Sequence, residues 1–230
     1  VYSANEYLTR ANLMRAYDKE KADTPILESE KVAVIGGGNV AMDIARSLSR
    51  LQQQKYGRVG VTVSAMEDFD HFLADPAELK EAREEGIVVL DSRGPKEMVI
   101  DDQGKLTGLV TLGVKSIFDT DGRFAPSYDT QDEQLHPAQM VVESIGQMSD
   151  VSMLGEALTE QLEWNRGRLQ ADENGRTSVD WLWSAGDMVK GPDVVHAVAD
   201  GHRVAASIQR YLDAEGRGLD DSSNTNETNR

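Results

Sequence analysis

The chain has 230 residues, 39% hydrophobic and 28% charged, with a net charge of −16 at pH 7 and no cysteine. This is enough chain for one large globular domain or two small ones; the acidic balance argues against nucleic acid as a partner, and the missing cysteines exclude disulfides, thiolate metal sites and iron–sulfur ligation within the segment. No apolar run approaches the roughly 20 residues that span a bilayer and no signal peptide opens the chain, so the expected compartment is the cytoplasm and no membrane span is expected.

Val1 is not an initiator methionine, and the chain reads as the middle of a longer one. Ser3 followed by Glu6 is a capping box, with Tyr2 and Tyr7 placed as a hydrophobic staple, so a helix is expected at once, running to about Tyr17. Its apolar face would be Tyr7, Leu8, Ala11, Met14 and Tyr17. The polar stretch 19–29, with Pro25, reads as a linker, which makes 1–29 a connecting helix and linker. Then follow a strand over 31–36, a helix over 39–52, a strand over 59–65, a helix over 76–85 behind the cap Asp75-Pro76-Ala77-Glu78, and a strand over 87–91. Strands separated by helices of this length imply right-handed crossovers and a parallel sheet.

Three strand-like runs, 96–100, 106–118 and 123–128, are separated by the turn sequences Asp101-Asp102-Gln103-Gly104 and Asp119-Thr120-Asp121-Gly122. They predict an antiparallel β-meander crossing over the parallel sheet, with 138–145 returning as a strand that ends at Gly146. Short strands are expected near 168–171 and 181–184. A helix follows from about Pro192 to Leu212, carrying Val194, Val195, Val198, Val204, Ala205, Ile208 and Leu212 on one stripe, interrupted mildly by Gly201. The polar end, 215–230, is expected to be a disordered tail.

The most informative stretch is the strand into Gly36-Gly37-Gly38-Asn39-Val40-Ala41, a GxGxxA motif that opens a helix. Gly36 would make the tight turn, Gly38 would let the backbone approach a pyrophosphate, and Ala41 would let helix and strand pack closely. The free N–H groups of the helix starting near Asn39 would face the diphosphate. An ordinary glycine-rich strand-to-helix turn is the alternative; the strand before and the helix after favour a dinucleotide. Past the second strand stands Ala65-Met66-Glu67-Asp68. A carboxylate at Glu67 would hydrogen-bond a ribose diol and repel a 2′-phosphate, which favours NAD over NADP. Glu67 lies a little further along than the usual spacing of about 20 residues, and a solvated loop acid is the other reading.

Other candidates carry less. His71, His136, His196 and His202 lack paired ligand spacing, and no metal site is nominated. Glu78, Glu81, Glu84 and Glu85, with Lys80 and Arg83, read as a solvated, ion-paired helix face. Trp181 and Trp183 alternate on an expected strand, and Ser184 lacks a nucleophile elbow. No catalytic residue is nominated.

Three blocks together resemble the small (beta) subunit of glutamate synthase and related FAD- and NAD(P)-dependent oxidoreductases with two dinucleotide-binding domains. They are VYSANEYLTRANLMRAY at 1–17; VAVIGGGNVAMDIARS at 32–47, followed by SIGQ from Ser144 through Gly146 to Gln147; and RTSVDWLWSAGDMVKGPDVVHAVADGHRVAASI at 176–208. The resemblance implies an α/β fold: a Rossmann-like NAD(P)-binding domain over 30–147, inserted into an FAD-binding domain whose C-terminal part is 148–214. It implies that Gly186 leaves room for flavin, that Asp187 accepts hydrogen bonds from ribityl or neighbouring hydroxyls, and that Gly191 and Pro192 lead a helix N-terminus toward the flavin N1/C2 edge. It also implies NAD(P)H and FAD as cofactors, with iron–sulfur clusters outside this segment. The partners would be a missing N-terminal FAD half and a redox subunit or ferredoxin-like domain. Hydride would pass between NAD(P)H and FAD in the full-length protein, this fragment alone being inactive. Many members resembling NADPH-dependent glutamate synthase carry paired arginines where this chain has 65–68. Leu73 replaces a common proline, and Glu143 a small apolar residue. A non-catalytic dinucleotide-binding or subunit-docking module stays open as the alternative.

Overall fold

The computed structural model describes residues 1–216 except Lys19, Arg166 and Pro192; the expected tail beyond Gly216 and the Pro192 position lie outside the described residues. The chain divides between Gly146 and Gln147 into two compact units. In the first, the elements are β1 (Tyr2–Ser3), α1 (Ala4–Leu8), β2 (Val32–Ile35), α2 (Asn39–Tyr56), β3 (Val61–Ser64), α3 (Pro76–Glu84) and β4 (Val88–Leu90). After these come β5 (Arg93–Ile100), β6 (Leu106–Phe118), β7 (Phe124–Pro137) and β8 (Met140–Glu143). A five-stranded sheet has the order β1-β8-β2-β3-β4, every pairing parallel.

The uninterrupted apolar run of β2 follows from burial on both faces. Val32 and Val34, with Val61, Val63, Met140 and Val142, pack under Tyr7, Met42, Ile44, Leu48 and Leu79 of the helices. The alternating partners Ala33, Ile35 and Val141 face Leu109, Met98 and Leu106 of the antiparallel sheet β5-β6-β7. The meander therefore lies across one face of the parallel sheet and the helices across the other. α2 closes at Gly57 in the left-handed conformation, φ +66°.

Several expectations change. The opening helix ends early: one turn of α-helix passes into a π-turn over Thr9–Leu13, and Arg15 adopts φ +52°, which stops propagation before Tyr17. Ser3 caps the Glu6 N–H at 3.2 Å as expected, but the Glu6 carboxylate turns to Arg10. Tyr2 and Ser3 also form a short edge strand on β8, which two residues could not announce. The last meander strand runs on to Pro137: the register jumps from Leu112↔Glu133 to Gly113↔Asp129, so residues 130–132 bulge out and break the alternation a strand shows in sequence. The acidic face of α3 is ion-paired as expected, Lys80 reaching Glu84 at 3.7 Å, and Glu78, Glu81 and Glu85 also converge on Arg46 of α2, whose side chain is only 15% exposed.

In the second unit, β9 (Trp164–Asn165) and β10 (Arg168–Leu169) form a small antiparallel ladder, preceded by α4 (Glu156–Thr159) and followed by α5 (Val194–Ala214). Val151, Leu162, Leu169 and Val179 are its core. The expected strand over 181–184 is reduced to a single bridge, Arg176↔Trp183. Trp183 packs edge-on to Tyr211 and donates from Nε1 to Ser207 Oγ at 3.0 Å, whereas Trp181 is exposed. α5 runs through Gly201 unbroken.

Candidate functional site

β2 is flanked by β3 and β4 on one side and by β8 and β1 on the other. Strand order therefore reverses between β2 and β8, the kind of place, beyond the carboxyl ends of the strands, where open α/β sheets bind ligands. The three glycines of the motif sit at that point with three different duties. Gly36 has φ +135°, and a Cβ on it would overlap the carbonyl oxygen of Ser144, the residue just past β8. Its N–H donates to Ser64 O at 2.9 Å, and Ser144 N–H donates to Ile35 O at 2.8 Å, so the turn is laced to both neighbouring strands. Gly37 faces the other way: a Cβ there would come 2.8 Å from Glu67 Oε2 and 3.0 Å from Ala65 Cβ.

Gly38 differs from both. It is the N-cap of α2 with φ −93° and ψ 173°, no side chain caps that helix start, and no heavy atom lies within 4 Å of where its Cβ would stand. The first N–H groups of an 18-residue helix are thus left without a side-chain cap, beside a glycine whose Cβ position is open. Ala41 is fully buried against the sheet, and Val40 is 45% exposed at the rim.

The segment between β3 and α3 arches over this turn. Ala74 N–H donates to Gly37 O at 2.8 Å, and Asp75 N–H donates to Asn39 Oδ1 at 2.7 Å. The side-chain oxygen of Asn39 therefore anchors the arch, a role its place in the motif did not reveal. Glu67 is half-buried over Gly37, and among the described residues its carboxylate has neither an ion pair nor a hydrogen-bond donor. Beyond it Asp68 caps a short 3-10 turn, Phe69–His71, and holds His71 Nδ1 at 2.7 Å. That contact raises the imidazole pKa of His71 and lowers the carboxyl pKa of Asp68. Gly146, with φ +96°, is exposed past the end of β8 with open space around it. The sequence-predicted residues of this unit are thus brought to one end of one sheet.

In the second unit, Gly186 is buried at φ +64° and opens a short 3-10 turn on which Asp187 is exposed. Gly191, at φ +109°, lies against Arg168, whose Nη2 would stand 2.9 Å from a Cβ placed there. The residue that organises this loop belongs to no sequence motif. Asp200, on α5 and 3% exposed, accepts from Lys190 Nζ at 2.9 Å, Arg203 Nη2 at 2.8 Å and the Gly186 N–H at 3.4 Å. The hydrogen bond from Lys190, ahead of any other attractive contact, holds its carboxyl below the ordinary value of 3.8. A carboxylate inside an apolar helix stripe was the available signal. Because its pKa is lowered on folding, Asp200 stabilises the fold fully above pH 3.8 and progressively less as acid protonates it. Asp200→Asn should therefore lower stability at neutral pH, with the gap to wild type closing in acid. All three tryptophans lie in this unit, so their emission during urea unfolding measures the effect locally.

A parallel sheet with a glycine turn at its switch point, an uncapped helix start and an acid over the turn define a Rossmann-type dinucleotide-binding unit. The chain belongs to the pyridine nucleotide-disulphide oxidoreductase family, which matches residues 3–201. It is 31% identical over 219 residues to a glutamate synthase [NADPH] small chain of Halomonas elongata, covering 93% of this chain and 45% of the relative. It is 35% identical to the NADP(+)-dependent formate dehydrogenase subunit beta of Moorella thermoacetica, covering 82% of this chain and 26% of that one. The NAD-dependent dihydropyrimidine dehydrogenase subunit PreT of Escherichia coli is 28% identical, covering 80% and 37%. Among solved structures, T. acidophilum thioredoxin reductase shares the fold at a TM-score of 0.61 and 24% identity, covering 82% of this chain and 54% of that chain. The chain thus spans half or less of the length of these curated relatives. Among the described residues, no helix is long and apolar enough to cross a membrane.

Proposed function

We propose that this chain is the nicotinamide-dinucleotide-binding portion of a cytoplasmic flavin-dependent oxidoreductase of the glutamate synthase small-subunit type, passing hydride between NAD(P)H and FAD. The observation that carries the reading is the open backbone at Gly38 beside an uncapped helix start, where a diphosphate would accept from the free N–H groups. Residues Gly36–Ala41 would hold the diphosphate, Glu67 the adenosine ribose, and Gly146 would border the site. In the second unit Gly186, Asp187 and Gly191 would hold flavin, completed by the N-terminal FAD half. When bound, the two cofactors supply the redox chemistry, and the residues of this chain bind and orient them. A redox subunit or ferredoxin-like domain would take the electrons onward, with iron–sulfur clusters lying outside this segment.

Between the two nicotinamide cofactors we favour NAD. The similar proteins include ones named for NADPH or NADP(+) and one named for NAD. Here 65–68 holds Glu67 and Asp68 and no arginine, and a carboxylate at that place repels a 2′-phosphate while accepting from a ribose hydroxyl. Fluorescence titration should give tighter binding of NADH than of NADPH. Glu67→Arg should reverse the order, shifting each affinity by about tenfold; tighter NADPH binding in the unaltered protein refutes the assignment. The intact protein should purify yellow and bleach with NADH. A colourless protein that still binds NADH is instead a non-catalytic binding module.

A further inference from the structure

We infer that Arg93, distant in sequence from every motif of the site, is a positioning residue that sets the cofactor preference by fixing the backbone on which Glu67 stands. The inference rests on the reading of Glu67 given above and adds the device that holds it.

Arg93 begins β5 and is 6% exposed, although it is an arginine. Its guanidinium spends its donors on the meander. Nη1 donates to Asp132 Oδ2 at 2.6 Å, Nη2 to the carbonyls of Thr111 at 2.9 Å and Asp132 at 3.2 Å, and Nε to Thr111 Oγ1 at 3.1 Å. Thr111 Oγ1, fully buried, lies 2.9 Å from Nε2 of His136. Burial and the Arg93 charge push that imidazole's pKa down, which leaves a neutral acceptor for the threonine hydroxyl. Asp132 reaches Arg93 because it stands in the 130–132 bulge of β7, and Gly113 opposite leaves the space its carboxylate occupies.

The backbone of the same residue grips the end of β3. Arg93 N–H donates to Ala65 O at 2.8 Å, Ser64 Oγ donates to Arg93 O at 2.9 Å, and Ser92 N–H donates to Glu67 O at 2.9 Å. Ser92 adopts φ +51° to make that last contact, a conformation costing a non-glycine residue about 1 kcal/mol or more. A strained turn survives where its surroundings over-determine it: Ser92 O accepts from the Val114 N–H at 2.8 Å, and the side chain of the next residue, Arg93, is tied into the meander at Thr111 and Asp132. The Glu67 carboxylate thus stands on a joint between two sheets rather than on a free loop. A selecting group must be held to within about half an ångström to discriminate well.

The test is the ratio of NADPH to NADH dissociation constants in the intact protein. Arg93→Met should lower it about fivefold to tenfold, by weakening NADH while NADPH changes less than about twofold. Asp132→Ala, whose carboxylate is half exposed, should move the ratio the same way by less, and it keeps the test open if Arg93→Met does not fold. In a Glu67→Gln background, Arg93→Met should leave the ratio unchanged. Parallel weakening of both cofactors, or an unchanged ratio in a folded variant, overturns the inference. A wild-type protein that binds NADH without preferring it overturns the Glu67 reading as well, so the two failures are told apart.

Discussion

Gly38→Val should leave the fold in place and abolish useful dinucleotide binding. A Cβ at this position meets nothing within 4 Å, and its φ, −93°, is ordinary for an L-residue. The loss of a favourable N-cap costs about 1 kcal/mol. The same side chain would stand beside the first N–H groups of α2, where the proposed diphosphate would sit. Losing one charge-assisted hydrogen bond to a diphosphate costs about 1.5–3 kcal/mol, a weakening of roughly tenfold to a hundredfold, and valine would displace more than one. Calorimetric titration with NADH, beside a circular-dichroism melt, checks both halves. Unchanged affinity in a folded variant means that the phosphates lie elsewhere and refutes the proposed function.

Two residues earlier, Gly36→Ala should do the opposite. Here the backbone sits at φ +135°, and the new methyl group drives into the Ser144 carbonyl, which is backbone on a central strand boundary and has nowhere to go. Strain and overlap together should cost about 3 kcal/mol or more. In a unit of this size that lowers the melting temperature by roughly 10 °C. Far-UV circular dichroism should register the loss, while tryptophan emission reads only the second unit, where all three tryptophans lie. Binding should fail because the turn fails. A melt equal to wild type would show that the turn relaxes without β8 and would remove the structural reason for Gly36. Adjacent members of one motif thus separate by assay, one through stability and one through affinity.

Much of the first unit could be read from local pattern. β2, α2, β3, α3 and β4 came from apolar runs, caps and period, and they appear within a few residues of expectation, α2 being four residues longer. The long third meander strand escaped because its bulge breaks the alternation. The strand expected at 181–184 failed because alternation of Trp181 and Trp183 is shared by a turn that tucks one ring and exposes the other. Asp200 escaped as well, since an acid on an apolar stripe counts against burial until Lys190 and Arg203 are seen to meet it.

By itself the sequence determined the strand, glycine turn and helix of the nucleotide motif, because φ freedom, capping and hydrophobic period act over a few neighbouring residues. Tertiary structure alone decided which glycine serves the fold and which leaves room for a ligand. It also decided that Asn39 ties down the arch and that Arg93 supports Glu67. Those duties are set by atoms of Ser144, Asp75 and Asp132, and chain segments so far apart meet only once burial of both sheet faces has brought them together.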